Sequence, residues 1–183
     1  DFQKGKTYVE WSKPTEFDSI AAHGPYKYLI YRSADFWGQQ LTLIDSLNTI
    51  NDTLYRDSLL NTTQNPYSYK IEFYNDEPGN RFLIGYPSIA SSIYLNTQPD
   101  DNQVHLTWQK NVPWTNTQYI IYRKNATSQM WDSIGHTSQT IFTDDSLVNG
   151  NEYCYKIKGL GYYYSGNYNM PFINFSQEKC ETP

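Results

Sequence analysis

The pentapeptide YLIYR at residues 28–32 recurs as YIIYR at residues 119–123, so that one copy lies in each half of the 183-residue chain. Both copies are rich in tyrosine and isoleucine, which are residues that favour β-strands. A strand-length sequence that returns after such an interval indicates two copies of one module. The chain therefore reads as a tandem repeat.

The repeat extends well beyond the pentapeptide. Trp11 and Trp108 each end a short alternating run, and three further pairs of blocks match: 41–45 with 131–135, 55–60 with 142–147, and 67–71 with 153–157. Asn, Gly, Pro, Asp and Ser separate the blocks, and the sequence shows no helical periodicity. The pattern predicts an all-β chain of two tandem immunoglobulin-like antiparallel β-sandwiches, at 1–97 and 98–183. Few residues precede Thr7, so we expect the first strand of the first module to be truncated or atypical.

Alternation of side chains along each strand predicts the cores. Trp11, Tyr28 and Ile30 should form the centre of the first core. Trp108, Tyr119 and Ile121 should do the same in the second, so the pentapeptide recurs because each module packs it beneath its own tryptophan. Four residues of the pentapeptides face away from the cores: Leu29, Tyr31, Ile120 and Tyr122. Either neighbouring loops or the other module cover them, or they form an exposed patch.

Composition excludes several classes of partner. The net charge is −5 and the basic residues are scattered singly. Proteins that bind nucleic acids or anionic membranes usually carry clusters of basic residues, so both kinds of partner are disfavoured. No apolar run approaches the roughly 18 residues of a membrane span. The chain opens with Asp1-Phe2-Gln3-Lys4 instead of a signal peptide, so we expect a mature fragment of a longer protein.

The turn at Leu147, Gly150 and Tyr153 has the spacing Leu-x-x-Gly-x-x-Tyr and resembles that of the fibronectin type III module. The resemblance implies that Tyr153 is a tyrosine corner, a buried ring whose hydroxyl bonds nearby backbone. The first module departs from this pattern, because the interval from Leu60 to Tyr67 is one residue longer and lacks the glycine.

Three sequences, W-x-x-x-x-P-W at 108–114, YIIYR and YCYKI, resemble tandem modules of large secreted or surface proteins of Bacteroidota, of the type that carries gliding-motility sorting domains. The resemblance covers essentially the whole chain and implies an extracellular or cell-surface location. It also implies O-glycosylation at Asp-Ser/Thr-aliphatic triplets, with the acceptors Ser19, Ser46, Thr53, Ser58, Ser133 and Ser146. The alternative is that the triplets recur with the repeat, since Asp57 and Asp145 occupy expected turns.

The two cysteines both lie in the second module. Cys154 falls in the sixth strand and Cys180 in the last strand, and these strands are neighbours in the fibronectin type III fold, so the resemblance implies a disulfide. The first module has Ser68 and, approximately, Leu95 at the matching positions, and both cysteines are thus absent together. Two buried free thiols are the alternative.

Catalytic and metal-binding motifs are absent from the sequence. The three histidines fall in separate segments, so no metal site and no cofactor are predicted. We interpret the paired carboxylates Asp100-Asp101 as solvated residues of the linker and Asp144-Asp145 as the cap of a turn. We therefore predict that the chain is not an enzyme and has no catalytic residues.

The stretch GLGYYYSGNYNM at residues 159–170 places four tyrosines on or near one loop: Tyr162, Tyr163, Tyr164 and Tyr168. Rings on a loop can stack on sugar faces or peptide side chains. Three hypotheses follow: a non-catalytic extracellular spacer or adhesion segment of a larger protein, a glycan- or protein-binding module that uses this loop, and an accessory part of a secreted enzyme. The expected partners are polysaccharides, surface proteins and the neighbouring domains of the same chain.

Overall fold

The structure is a computed structural model that describes residues 5–163 and 171–183. Within those residues every regular element is a strand. The bounds are β1 Lys6–Glu10, β2 Tyr26–Ser33, β3 Thr42–Leu47, β4 Leu54–Ser58, β5 Ser68–Asn75, β6 Phe82–Gly85, β7 Ala90–Ser91, β8 Tyr94–Asp100, β9 Gln103–Gln109, β10 Thr115–Lys124, β11 Trp131–Thr137, β12 Ile141–Asp144, β13 Tyr153–Tyr162, β14 Phe172–Phe175 and β15 Lys179–Glu181.

The first unit comprises the chain up to Asn61 together with Tyr67–Ser91. One sheet has the strand order β3-β2-β5-β6, with β7 also paired to β5, and a second sheet consists of β1 and β4. All of these pairings are antiparallel. Among the described residues, no further strand pairs with β1 or β4.

The second unit comprises Thr62–Pro66 and Ser92–Pro183. Its larger sheet has the order β11-β10-β13-β14 with β15 also on β13, and its smaller sheet has the order β12-β9-β8. The larger sheets of the two units correspond strand for strand, as the sequence repeat requires. The chain is thus two tandem immunoglobulin-like sandwiches of the fibronectin type III kind, which confirms the fold class predicted from the sequence.

The division between the units lies after Ser91, whereas the sequence places a boundary between residues 97 and 98. That position falls inside β8, which pairs with β9 from Tyr94↔Gln109 to Asp100↔Gln103. A strand's own sequence does not state which sheet it joins, because the pairing partner is chosen in the tertiary structure. The short segment 62–66 also groups with the second unit, where the Thr62 carbonyl accepts the Glu178 amide hydrogen at 3.2 Å.

Each core is built around the repeated pentapeptide. In the first unit Tyr28 and Ile30 are buried, and the half-buried Trp11 contacts the Tyr28 ring edge-on with centroids 5.3 Å apart. In the second unit Tyr119 and Ile121 are buried, and Trp108 meets Tyr119 edge-on at 5.2 Å. These edge-to-face pairs are the favoured geometry for packed rings.

The outward-facing residues of the pentapeptides are half-buried, and lysines of the repeated Tyr-Lys-Ile sequences lie beside aromatic rings on the same face. The Lys70 ammonium lies 5.9 Å from the Tyr31 ring centre and forms an ion pair with Glu72 at 2.7 Å. Its counterpart Lys156 lies 5.0 Å from the Trp131 ring and is only 2% exposed. Cation–π contacts on the outer face thus use the lysine that recurs in both modules.

Candidate functional site

An arginine, an aspartate and a tyrosine come together in the first module from three different strands. Arg32 follows the pentapeptide on β2, Asp57 lies on β4, and Tyr69 lies on β5. The Arg32 Nη1 donates to both Asp57 carboxylate oxygens at 3.0 Å, and the Tyr69 hydroxyl donates to Asp57 Oδ2 at 2.8 Å. We call this set the first clamp, because it connects strands of the two sheets.

The second module repeats the arrangement with Arg123, Asp144 and Tyr155, which form the second clamp. The Arg123 Nη1 donates to Asp144 at 3.0 and 2.8 Å, and the Tyr155 hydroxyl donates to Asp144 Oδ2 at 2.9 Å. Both aspartates are buried, and a buried carboxylate requires such partners. The clamps account for the arginine, the aspartate and the second tyrosine of the repeated blocks.

The clamp tyrosines are held in the neutral form. Burial, together with the charge and hydrogen bond of Asp57, raises the pKa of Tyr69 well above its ordinary value of 10.0. Burial and the hydrogen bond to Asp144 do the same for the pKa of Tyr155. A neutral phenol that donates to a carboxylate supplies a structural bond and not an acid or base for catalysis at ordinary pH.

The clamps correct two interpretations made from the sequence, the turn expected at Asp57 and the turn cap expected at Asp144. Both carboxylates are instead buried in the clamps. Asp145 is exposed and accepts a hydrogen bond from Ser146. The matched pattern of Arg, Asp and Tyr-x-Tyr in both halves was the signal that could have revealed the clamps.

The tyrosine corner occurs in both modules. The Val148 amide donates to the Tyr153 hydroxyl at 3.0 Å, and the Asn61 amide donates to the Tyr67 hydroxyl at 2.8 Å. Each donor directly follows the leucine of its turn, so the extra residue in the first module lengthens the turn without removing the bond. Both rings also lie about 6 Å from the clamp arginines, Tyr67 at 6.0 Å and Tyr153 at 5.7 Å.

A disulfide joins Cys154 on β13 to Cys180 on β15, which face each other in the strand register. The register of the first module places Ser68 opposite Ser91. The position that matches Cys180 is therefore Ser91 and not Leu95, because Leu95 lies on β8 and pairs with Trp108. Glu152 lies near both sulfur atoms, but disulfide-bonded sulfurs are not thiolates and do not bind a metal.

The predicted aromatic loop lies only partly within the described residues. Tyr162 ends β13 and is 49% exposed, and Tyr163 follows it at 46% exposure. Tyr164 and Tyr168 lie outside the described residues. The two described rings are thus accessible to a partner.

The predicted glycosylation acceptors all reach the surface to some degree. Ser46 and Thr53 are half-buried, and the rest are exposed: Ser19, Ser58, Ser133 and Ser146. The triplets that begin at Asp57 and Asp145 are not equivalent, since Asp57 matches Asp144. Recurrence of the module therefore does not by itself explain both of them.

Neither sequence comparison gives a relative: no family model matches the chain, and no curated protein matches it in sequence. The part of the chain that the structure describes contains no helix long and apolar enough to cross a membrane.

The comparison with solved structures finds 139 matching chains. They include the chicken interferon gamma receptor alpha chain (9% identity, 97% of this chain and 91% of that chain, TM-score 0.37). A two-domain fibronectin type III segment of chicken tenascin matches at 12% identity over 99% of this chain and 93% of that chain, with a TM-score of 0.30. The central fibronectin-III array of RIM-binding protein matches at 9% identity over 97% of this chain and 64% of that chain, with a TM-score of 0.35. These identities and scores are low, so the assignment of the fold rests on the strand order and the cores of the two modules.

Proposed function

We propose that the chain is a non-catalytic extracellular segment that serves as a spacer or adhesion element within a larger surface or secreted protein. The observation that carries this proposal is the duplication of one sandwich, with the same core, tyrosine corner and polar clamp in both copies. Residues conserved between the copies therefore serve the fold. The disulfide supports an oxidising, extracellular location.

A replacement experiment tests the spacer role. The segment is exchanged, in its parent protein, for an unrelated pair of sandwiches of equal length, and surface display and adhesion are measured beside a deletion of the segment. We expect the exchange to preserve both properties and the deletion to impair them. Loss of adhesion in the exchanged protein, with display intact, would reject the spacer role and show that this surface itself binds.

A glycan- or protein-binding module is the second candidate, favoured by the exposure of Tyr162 and Tyr163. The chain would be screened against polysaccharides and surface glycans with a Tyr163→Ala, Tyr164→Ala double variant alongside. Binding that disappears in the variant supports this function. If binding survives in the double variant, Tyr163 and Tyr164 do not determine it.

Bacteroidota origin and O-glycosylation are part of the same proposal, supported by the sequence resemblance and by the exposed acceptor hydroxyls. Mass spectrometry of the protein purified from its native host tests them together. Sugar on Ser19 or Ser58 is expected, and unmodified peptides covering all six triplets would contradict this part of the proposal.

A further inference from the structure

The loop between β2 and β3 of the first module borders an open cavity of about 460 Å³. This volume is within the usual range for small-molecule sites. Polar side chains dominate the wall, which includes Arg32, Asp35, Gln39, Gln40 and Thr42. Such a wall suits a hydroxylated ligand better than an apolar one.

Trp37 lies on the same loop, between two residues that line the cavity. Its side chain is 61% exposed, whereas the neighbouring Phe36 is buried and meets it edge-on with centroids 4.8 Å apart. The buried phenylalanine anchors the loop and leaves the indole accessible. A fixed, accessible indole is a contact surface that loses little conformational entropy on binding.

Hydrogen bonds fix the loop on both sides of Trp37. The Asp35 carboxylate accepts the Trp37 amide at 2.7 Å and the Gln39 amide at 3.1 and 3.2 Å. The Gln40 amide donates to the Ser33 hydroxyl at 3.1 Å, and that hydroxyl donates to Asp35. The loop is therefore pre-organised before any ligand arrives.

Two buried serines add to this support from below. The Ser68 hydroxyl donates to the Asp35 carbonyl at 2.5 Å, and the Ser91 hydroxyl donates to the Phe36 carbonyl at 2.6 Å. These serines occupy the positions where the second module has its disulfide. The first module thus uses this pair of positions to hold the Trp37 loop.

Both charged side chains of the cavity wall already have partners in the first module, since Arg32 is paired with Asp57 and Asp35 accepts backbone amides. Arg32 uses Nη1 for the first clamp, and within the described chain no residue accepts a hydrogen bond from its Nε or Nη2. The opposite charge of Asp35 lies on the same wall and is already bound by backbone amides. An uncharged ligand with hydroxyl groups fits this arrangement, since guanidinium and amide groups can bond hydroxyls from several directions.

We propose that the cavity and Trp37 form a binding site for a neutral saccharide. The indole would cover the apolar face of a sugar ring beside the cavity, while Arg32, Gln39 and Gln40, which line the cavity, would bond the hydroxyls of the adjoining ring. This site lies on a different module from the tyrosine loop, and it goes beyond the spacer role.

Isothermal titration calorimetry on the whole chain tests the site, with neutral oligosaccharides of glucose, mannose, galactose, xylose and N-acetylglucosamine as probes. We expect at least one of them to bind, and Trp37→Ala and Gln40→Ala each to weaken that binding by about tenfold or more. Tyr86→Ala is the matched control, because Tyr86 lies in the same module with the same exposure of 61%. The control should bind like the unaltered chain, and thermal unfolding should show that all variants remain folded.

Four results would overturn the proposal. They are the absence of binding to every neutral probe, binding that Trp37→Ala leaves unchanged, a preference for oligogalacturonate over the neutral probes, and a preference for a peptide with a free carboxyl terminus. Tyr163→Ala is run in parallel and should bind normally, so that a contribution of the tyrosine loop is separated from that of Trp37.

Discussion

At the scale of single residues, each clamp stabilises one buried carboxylate in a small sandwich. Each aspartate forms an ion pair with an arginine and also accepts a hydrogen bond from a tyrosine hydroxyl. Removal of one partner is expected to be costly because it leaves the buried carboxylate with fewer hydrogen bonds.

Tyr155→Phe isolates the hydroxyl, since it keeps the buried ring. We expect the second module to lose about 1–2 kcal/mol of unfolding free energy, as for one lost hydrogen bond to a charged group. Urea denaturation measures this loss, and Tyr163→Phe, which alters an exposed tyrosine, should have little effect. Equal midpoints for Tyr155→Phe and the unaltered chain would show that the clamp bond contributes nothing to stability.

The raised pKa values of Tyr69 and Tyr155 predict a dependence on alkaline pH. Their pKa values in the folded state lie above 10, so above about pH 10 the unfolded chain loses protons that the folded chain retains. The contribution of these groups to the unfolding free energy should therefore be fully present and independent of pH below about pH 10, and it should be lost as the pH rises past this value. Denaturation across this range should show a shallower fall in the Tyr69→Phe, Tyr155→Phe double variant, and an unchanged slope would contradict the assignment.

At the scale of strands, close approach between neighbours decides where side chains are permitted. Gly161 on β13 lies beneath Trp114, which stacks on Phe172 with ring centroids 5.2 Å apart. A Cβ on Gly161 would lie 2.5 Å from the Thr115 carbonyl oxygen and 2.5 Å from the Trp114 ring. The glycine thus lets the indole lie close to the strand.

Gly161→Ala should destabilise the second module by about 1–3 kcal/mol, as overpacking against fixed atoms usually does. Gly85→Ala on β6 is the matched control, since a Cβ there meets no atom within 4 Å. Thermal denaturation of the two variants makes the comparison. Equal stabilities would indicate that the strand shifts freely to admit the methyl group.

At the scale of the whole molecule, the two modules share a fold but differ in how β5 and β13 are tied to their last strands. The Ser68 and Ser91 hydroxyl oxygens lie 2.9 Å apart at the positions where the second module has its disulfide. Because each module has its own core, a change confined to one of these two connections should alter mainly the stability of the module that contains it.

Reduction of the disulfide tests this independence. The bond closes a loop with a sequence separation of 26. Its loss should therefore lower the unfolding free energy of the second module by about 3 kcal/mol and leave the first module unchanged. Hydrogen exchange of both modules, with and without reductant, measures the two effects separately, and equal loss of protection in both would show that they unfold as one unit.

The sequence by itself determined the fold class, the repeat and the centre of each core. Alternation and the recurring tryptophan and pentapeptide are local patterns, so they show which residues face a core without stating which strands pair. The tertiary structure alone decided the clamps, the Ser68–Ser91 pair and the assignment of β8 to the second unit. These depend on which side chains meet across strands distant in sequence. The repeated Arg, Asp and Tyr-x-Tyr mark the clamp residues as recurrent, but the repeat alone does not state that they contact one another. The Trp37 loop was missed for the same reason: its supports come from β5 and β7, far along the chain, and only folding brings them beneath the indole.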